Sequence, residues 1–420
     1  MRTILLFMLQ ATLGLFQVPD TGMSFDQLAQ TALAQNKNLQ AAREQLRQAE
    51  ARLRQAAVHP NPSLDVSTST DVLFGNEGES GFAVTFSQPI ELGGKRMKRI
   101  RVAEAEAELA KAEITDAERQ LAGQLRIAYL RAAETSARLN FLDRTRGLDQ
   151  QMVQVMEVRL AAGDASRLDS HLLQAEKNRF EAQRLQAESQ LTDQLLEIRR
   201  LAGMPLSEPV SLRPSVSRPV PLTRDEAELI EIALKGRPDL HAARLREALA
   251  DAGIALARSQ AAPNITGSVR YAREPNVSRF ATATQPRSFE KESVLDFGIS
   301  IPLPFSNREQ GNIREASSKI LQAKAEREAL ELAIRTEVTA AARRYQLALR
   351  SLELIRTGVV NETEAGFSIT QLAYRLGDVR LVDMLMVQRS LVESQIAQLS
   401  AEAEISAAQA NLELALGSTK

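Results

Sequence analysis

The chain has 420 residues, with 52 Lys plus Arg against 53 Asp plus Glu, a formal net charge of -1 that excludes a general nucleic-acid binder, which needs basic excess. Aromatics are only 4%, with no Trp, so packing must come from Ala- and Leu-rich seams in long helices rather than from large rings. The absence of Cys excludes disulfides, thiolate metal sites, Cys nucleophiles and a lipid-modified N-terminal Cys.

At the start, an apolar run from Ile4 to Phe16 follows Arg2, the form of a secretory signal, and residues 1–22 are read as that leader. The run is too short to span a bilayer, and no later segment offers about 18 uninterrupted apolar residues, so any membrane insertion must be by strands.

After the leader, one unit is written twice. Leu39-Gln-Ala-Ala-Arg43 matches Leu240-His-Ala-Ala-Arg244, and Pro62-Ser-Leu64 matches Pro263-Asn-Ile265; later, Ser87, Pro89 and Ile90 match Ser300, Pro302 and Leu303, and Gly163, Asp164 and Asp169 match Gly377, Asp378 and Asp383. The repeats are residues 23–203 and 223–417, joined by a Pro-rich linker, 204–222, whose five Pro forbid a helix. Ser24-Phe-Asp-Gln27 and Thr223-Arg-Asp-Glu226 each carry the capping-box form and are expected to open a helix.

In the first repeat Leu39, Leu46 and Leu53 stand seven apart, interleaved with Ala42, Ala49 and Ala56, a seam with small residues that allow close backbones. Leu240, Ala243, Ala250, Ile254 and Ala257 repeat it, but Glu247 interrupts, and that turn is expected to face solvent or a partner charge. From about Lys95 to Arg159 no Pro occurs, and Ile100, Ala103, Ala107, Ala110, Ile114, Ala117 and Leu121 keep heptad spacing. That predicts roughly 95 Å of helix. Its counterpart runs from about Arg308 to Leu376, and return helices follow over about Ser166–Leu201 and Val379–Leu416. Helices of this length must pack side by side, as a tube or rod.

Between the helices the period changes to two. Leu64, Val66, Thr68, Thr70, Val72 and Phe74 alternate with polar residues, as do Phe82, Val84 and Phe86; Ile265, Gly267, Val269 and Tyr271 and then Leu295, Phe297, Ile299 and Ile301 do the same in the second copy. The hairpins are placed at 64–90 and 265–303. Segments of about ten residues with one apolar face fit a tilted transmembrane β-strand. The connections, Gly75–Gly81 and about Ala272–Glu292, are polar, and Phe74, Phe82, Tyr271, Phe280 and Phe289 near those ends form a partial aromatic girdle. Four strands cannot close a barrel, and open edges are not tolerated in lipid, so copies must share one barrel; eight strands would fill with side chains and twelve leave room for a lumen, so a conduit favours three copies.

These features resemble the TolC-like family of bacterial outer-membrane efflux proteins over nearly the whole chain. Gln88-Pro-Ile-Glu-Leu-Gly-Gly-Lys-Arg96 and Pro302-Leu-Pro-Phe-Ser-Asn-Arg-Glu-Gln-Gly311, at the two strand-to-helix turns, look like the CzcC-like (cobalt-zinc-cadmium resistance) branch. The resemblance implies a mainly α fold with a small membrane β part, a homotrimer with a twelve-stranded barrel continued by a periplasmic helical tunnel, and docking to a resistance-nodulation-division inner-membrane pump and a periplasmic adaptor. It implies a passive exit duct for divalent heavy-metal cations, without cofactor or catalysis. The competing reading from the residues alone is a coiled-coil scaffold with soluble hairpins. Gly93, Gly94 and Gly311 are expected to serve tight turns, not a phosphate loop.

Tyr374, Gly377 and Asp383 resemble the family's tip pattern, which closes the tunnel entrance, and internal symmetry adds Asp169. Arg159, Gly163, Asp164, Arg375, Asp378 and Arg380 lie at the same helix reversals and are candidate adaptor or pump contacts. Asp164 and Asp378 are also read as helix-capping residues. Met386 stands where a second acid is expected after Asp383. His59, His171 and His241 have no second ligand at metal spacing, and Met152, Met156, Met384 and Met386 are read as space-filling.

Overall fold

The computed structural model describes residues 22–70, 80–162, 166–213, 221–277, 289–376 and 378–418; the leader, Val72, Phe74, Phe280, Gly163, Asp164 and Gly377 lie outside them. The order of elements is duplicated. Helices α1 (Phe25–Gln35) and α2 (Lys37–Ala56), strands β1 (Ser63–Thr70) and β2 (Ser80–Ile90), and helices α3 (Lys95–Ala162) and α4 (Arg167–Ala202) are followed by α5 (Glu226–Gly236), α6 (Pro238–Gln260), β3 (Ile265–Val277), β4 (Phe289–Ser300), α7 (Gln310–Leu354), α8 (Asn361–Leu376) and α9 (Leu381–Ala415). α7 and α8 are joined by a π-helical stretch, Ile355–Val360, with no counterpart in the continuous 68-residue α3. Among the described residues no helix is long and apolar enough to cross a membrane.

The chain divides into two compact units, and α3 and α7 contribute a portion to each. One comprises Met1–Lys37, Glu118–Ala233 and Glu337–Lys420; the other comprises Asn38–Ala117 and Leu234–Thr336.

In the first unit, the Ser24 hydroxyl accepts from the Gln27 amide while the Gln27 side chain accepts from the Ser24 amide, the expected capping box. The second box does not form. α5 opens at Glu226, where Asp225 Oδ1 accepts from the Glu226 amide at 2.7 Å and the Asp225 carbonyl accepts from Leu229, leaving Thr223 two residues upstream of the cap. Gly203 ends α4 with φ 71°, and a Cβ there would stand 2.7 Å from the Gln35 carbonyl oxygen, so only Gly fits. Part of the linker is fastened: Met23 and Leu212 form a parallel bridge, with the Met23 amide on the Ser211 carbonyl at 2.9 Å and the Arg213 amide on the Met23 carbonyl at 3.1 Å. Buried Tyr129 donates its hydroxyl to the Arg213 carbonyl and packs edge-on against Phe25.

The second unit holds a four-stranded antiparallel sheet in the order β1-β2-β3-β4, so among the described residues β1 and β4 each have one neighbour. The register brings the alternating apolar residues into rows: Leu64 opposite Phe86 and then Val269 and Phe297, and Val66 opposite Val84 and then Tyr271 and Leu295. This face is open. Leu64 is 66% exposed, Phe297 77% and Ile299 76%. On the other face stand Asp65, Thr85, Arg270 and Asp296, with Arg270 paired to Asp296 at 3.0 Å and to Glu274 at 2.6 Å. A sheet that exposes its greasy side and pairs its polar side is inverted relative to a soluble sheet packed on helices.

The second hairpin runs farther than its alternation predicts. Pairing continues from Ala272 opposite Val294 to Val277 opposite Phe289, so much of the expected Ala272–Glu292 connection is strand. Backbone pairing does not need apolar side chains, and Glu274, directly opposite Glu292, is offset by its ion pair with Arg270. In the flanking helices Leu39 and Ala49 are buried in the predicted seam, and Glu247 meets a partner charge, Arg327, at 2.8 Å. At the turn into α3, Gly93 and Gly94 take φ of 73° and 68°; at the turn into α7 the left-handed residue is Glu309, φ 58°, while Gly311 lies inside the helix.

Candidate functional site

The candidate site is where the long helices reverse, in the first unit. Met156 from α3, Leu173 from α4, and Leu381 and Leu385 from α9 form one buried cluster, with Met152, Val153, Leu172 and Tyr374 packed against it. The reversals of the two repeats are thus brought together by apolar contact. Met156 and Met384 are buried and Met152 is half-buried, so these three fill space; Met386 is exposed.

The helix starts that follow the reversals are matched residue for residue. Ser166 caps α4 and Arg380 stands at the cap position of α9, so Asp169 and Asp383 are each the third residue of their helix. Asp169 is held in a capping box: its amide donates to Ser166 Oγ at 3.1 Å, and its carboxylate accepts from the Ser166 amide at 3.2 Å and hydroxyl at 2.7 Å. Arg380 has no side chain that can accept an amide, and Asp383 instead pairs with the Arg380 guanidinium at 3.2 Å. The capping reading of Asp378 is therefore corrected: Asp378 precedes the cap by two residues, and its own amide donates to the Ala373 carbonyl at 2.9 Å. The cap of α4 likewise falls at Ser166, past Asp164.

Tyr374 is half-buried against the cluster, Arg375 and Asp378 are exposed, and Arg380 is 82% exposed at its side chain. The Arg159 side chain lies outside the described portion. The structure thus gathers Tyr374, Asp169 and Asp383 around the paired reversals, with Asp383 37% exposed at its side chain and in a solvent-exposed ion pair with Arg380. Among the described residues no group of three or more His, Asp or Glu is arranged to hold a metal ion.

One pair is absent from the sequence expectations. Glu176 of α4 is 8% exposed at its side chain and accepts two hydrogen bonds from Arg389 of α9, at 2.6 Å and 3.1 Å. The hydrogen bonds that the guanidinium donates to the Glu176 carboxylate raise the pKa of Arg389 above the ordinary value. One turn on, Arg179 and Glu393 approach to 3.5 Å. The signal was available: Glu176 stands between Leu173 and Phe180 on the buried stripe of α4, a charge inside a seam, as Glu247 is in α6.

The family model described as Outer membrane efflux protein matches the chain twice, over residues 28–204 and 229–418. The cobalt-zinc-cadmium resistance protein CzcC of Cupriavidus metallidurans is 24% identical over 390 residues, 92% of this chain and 88% of that protein. The pyoverdine export outer membrane protein OpmQ of Pseudomonas putida is 27% identical over 428 residues, 93% and 84% of the two chains. Among solved structures, that of CusC matches the fold with a TM-score of 0.73 at 19% identity, covering 94% of this chain and 92% of that one. The Campylobacter jejuni CmeC outer membrane channel matches with a TM-score of 0.76 at 14% identity, covering 94% and 85%. With both repeats matched, the chain belongs to the outer membrane efflux protein family and is a protein of the outer membrane.

Proposed function

We propose that the chain is one third of a passive exit duct in a tripartite efflux system, three copies closing a twelve-stranded barrel above a periplasmic helical tunnel. The observation that carries this reading is the four-stranded sheet with an exposed apolar face and one open edge at each side. Such a sheet is satisfied in lipid only by closure with further copies. The cargo proposed is divalent heavy-metal cations, supported by the similarity to CzcC, while the similarity to OpmQ, named for pyoverdine export, supplies the competing cargo class. The partners are a periplasmic adaptor and a resistance-nodulation-division pump, touching the duct at Arg159, Gly163, Asp164, Arg375, Asp378 and Arg380. Asp169, Tyr374, Gly377 and Asp383 form the gate, in which carboxylates from three copies attract cations. No cofactor is assigned.

Membrane fractionation with gel analysis in mild detergent tests the duct: a detergent-stable oligomer in the outer-membrane fraction is expected, and a soluble monomer refutes it. Deletion of the gene should sensitise its host to cobalt, zinc or cadmium; unchanged tolerance with lost siderophore export overturns the cargo. In planar bilayers Asp383→Ala should alter conductance or cation preference, and unchanged open-state currents remove Asp383 from the gate.

A further inference from the structure

The apolar face of the sheet does not stop where the ladder stops. On β2 it runs through Phe82, Val84, Phe86 and Ile90, broken by Gln88, whose side-chain amide donates to the Pro60 and Pro89 carbonyls, and passes the strand end to Leu92; on β4 it runs through Leu295, Phe297 and Ile299 and passes the end to Ile301, Leu303 and Phe305. Leu303 and Phe305 are 65% and 79% exposed. Phe82 to Leu92 is ten residue steps, about 33 Å of extended chain; at a tilt of about 40° this gives roughly 25 Å, the height of the apolar band of an outer-membrane barrel. The edge of the hydrocarbon layer therefore falls near Leu92 and Leu303, beyond the last paired residues.

Directly past that edge stand five cations in seven residues, Lys95, Arg96, Lys98, Arg99 and Arg101. Three are engaged in the turn: Lys95 Nζ donates to Asn264 Oδ1 at 2.6 Å, Arg96 Nε to the Ala57 carbonyl at 2.7 Å, and Arg99 pairs with Glu91. The side chains of Lys98 and Arg101 have no hydrogen-bond or ion-pair partner among the described residues. Arg101 is exposed one turn from Met97, itself 54% exposed, on the same face of α3. Cations in the first turns of a helix oppose its dipole, so helix stability does not account for them.

We propose that Lys98 and Arg101 bind the phosphates of anionic phospholipids on the helix side of the membrane, with Leu92, Met97, Leu303 and Phe305 seated among the adjoining acyl chains. Charge complementarity and continuity with the apolar face select lipid as the occupant. The inference rests on the sheet being a barrel wall in lipid.

The test reconstitutes the full-length protein in phosphatidylcholine vesicles with or without phosphatidylglycerol and counts retained lipids by native mass spectrometry. Wild type should prefer phosphatidylglycerol, and Lys98→Gln with Arg101→Gln should lower that preference roughly thirty-fold, from the usual contribution of each surface cation. Because the chain contains no Trp, Phe305→Trp gives a clean depth probe, expected to be quenched by brominated lipid. Equal retention of both lipids by wild type, an unaffected double variant, or an unquenched Trp overturns the proposal. Displacement of the phosphatidylglycerol by inorganic phosphate also overturns it, in favour of a soluble-anion site. A protein that never enters vesicles refutes the barrel as well, whereas one that inserts without lipid preference refutes only this assignment.

Discussion

Replacing Arg389 by Ala leaves the Glu176 carboxylate at the α4–α9 contact without its two donors. Breaking a fully buried pair costs about 3–5 kcal/mol and an exposed one about 0–1 kcal/mol. Here the carboxylate is 8% exposed and the guanidinium 41%, so the cost lies between these limits, at about 2 kcal/mol. At 1.4 kcal/mol per factor of ten, that is roughly a thirty-fold shift toward separation of the two return helices. Hydrogen exchange followed by mass spectrometry on the detergent-solubilised protein reads this directly, as roughly thirty-fold faster exchange confined to α4 and α9 near residues 176 and 389. In planar bilayers the same variant should spend more time open. Glu176→Ala combined with Arg389→Ala removes the stranded charge, so the double variant should cost less than the sum of the two singles by about 1 kcal/mol or more. Strictly additive effects, or exchange unchanged in Arg389→Ala, would show that the pair does not hold the helices together.

Phe297→Arg, on the exposed apolar face, should destabilise the vesicle-inserted protein in urea titrations by about 2–4 kcal/mol, whereas Ser268→Arg on the polar face should cost far less; equal costs contradict the assignment of faces. Glu309→Gly should raise stability by about 1 kcal/mol by removing a left-handed strain that Gly94 avoids at the matching turn, and a lower melting temperature would contradict it. Burial raises the pKa of Tyr129 above the ordinary value of 10.0. A raised folded pKa means that its stabilisation is fully present below the unfolded pKa and is lost as pH rises through the folded one. Melting of wild type should therefore fall more steeply above about pH 10 than that of Tyr129→Phe, which should lose about 1 kcal/mol near neutrality with the hydrogen bond to Arg213. Parallel curves across the alkaline range refute that link.

Much of the architecture was legible because it rests on periodicity. The heptads that bury Leu39 and Ala49, the alternation that aligns Phe86, Val269 and Phe297, and the misfit of Glu247 in its stripe each have one low-energy solution. What was not legible depends on distances set by other segments. Asp225, directly before α5, accepts from the Glu226 amide in place of Thr223, and β3 extends through polar residues because β4 offers backbone partners. The cap falls at Arg380 and not at Asp378, since the reversal spends two more residues before the helix starts. The Glu176–Arg389 pair is invisible in sequence because its members stand 213 residues apart, and a seam charge does not name its counter-ion.

The π-helical stretch at Ile355–Val360 makes the two halves of the duplicated chain non-interchangeable. A single-turn π-bulge inserts one residue into the α-helical repeat, advancing everything downstream by about 100° around the axis. Val360 is thereby buried, and Thr363 meets Ser394 of α9 through their hydroxyls at 2.8 Å. The first half has no such phase correction in α3. Replacing α7 and α8 by a copy of α3 would remove that phase step and turn the positions of Val360 and Thr363 away from α9.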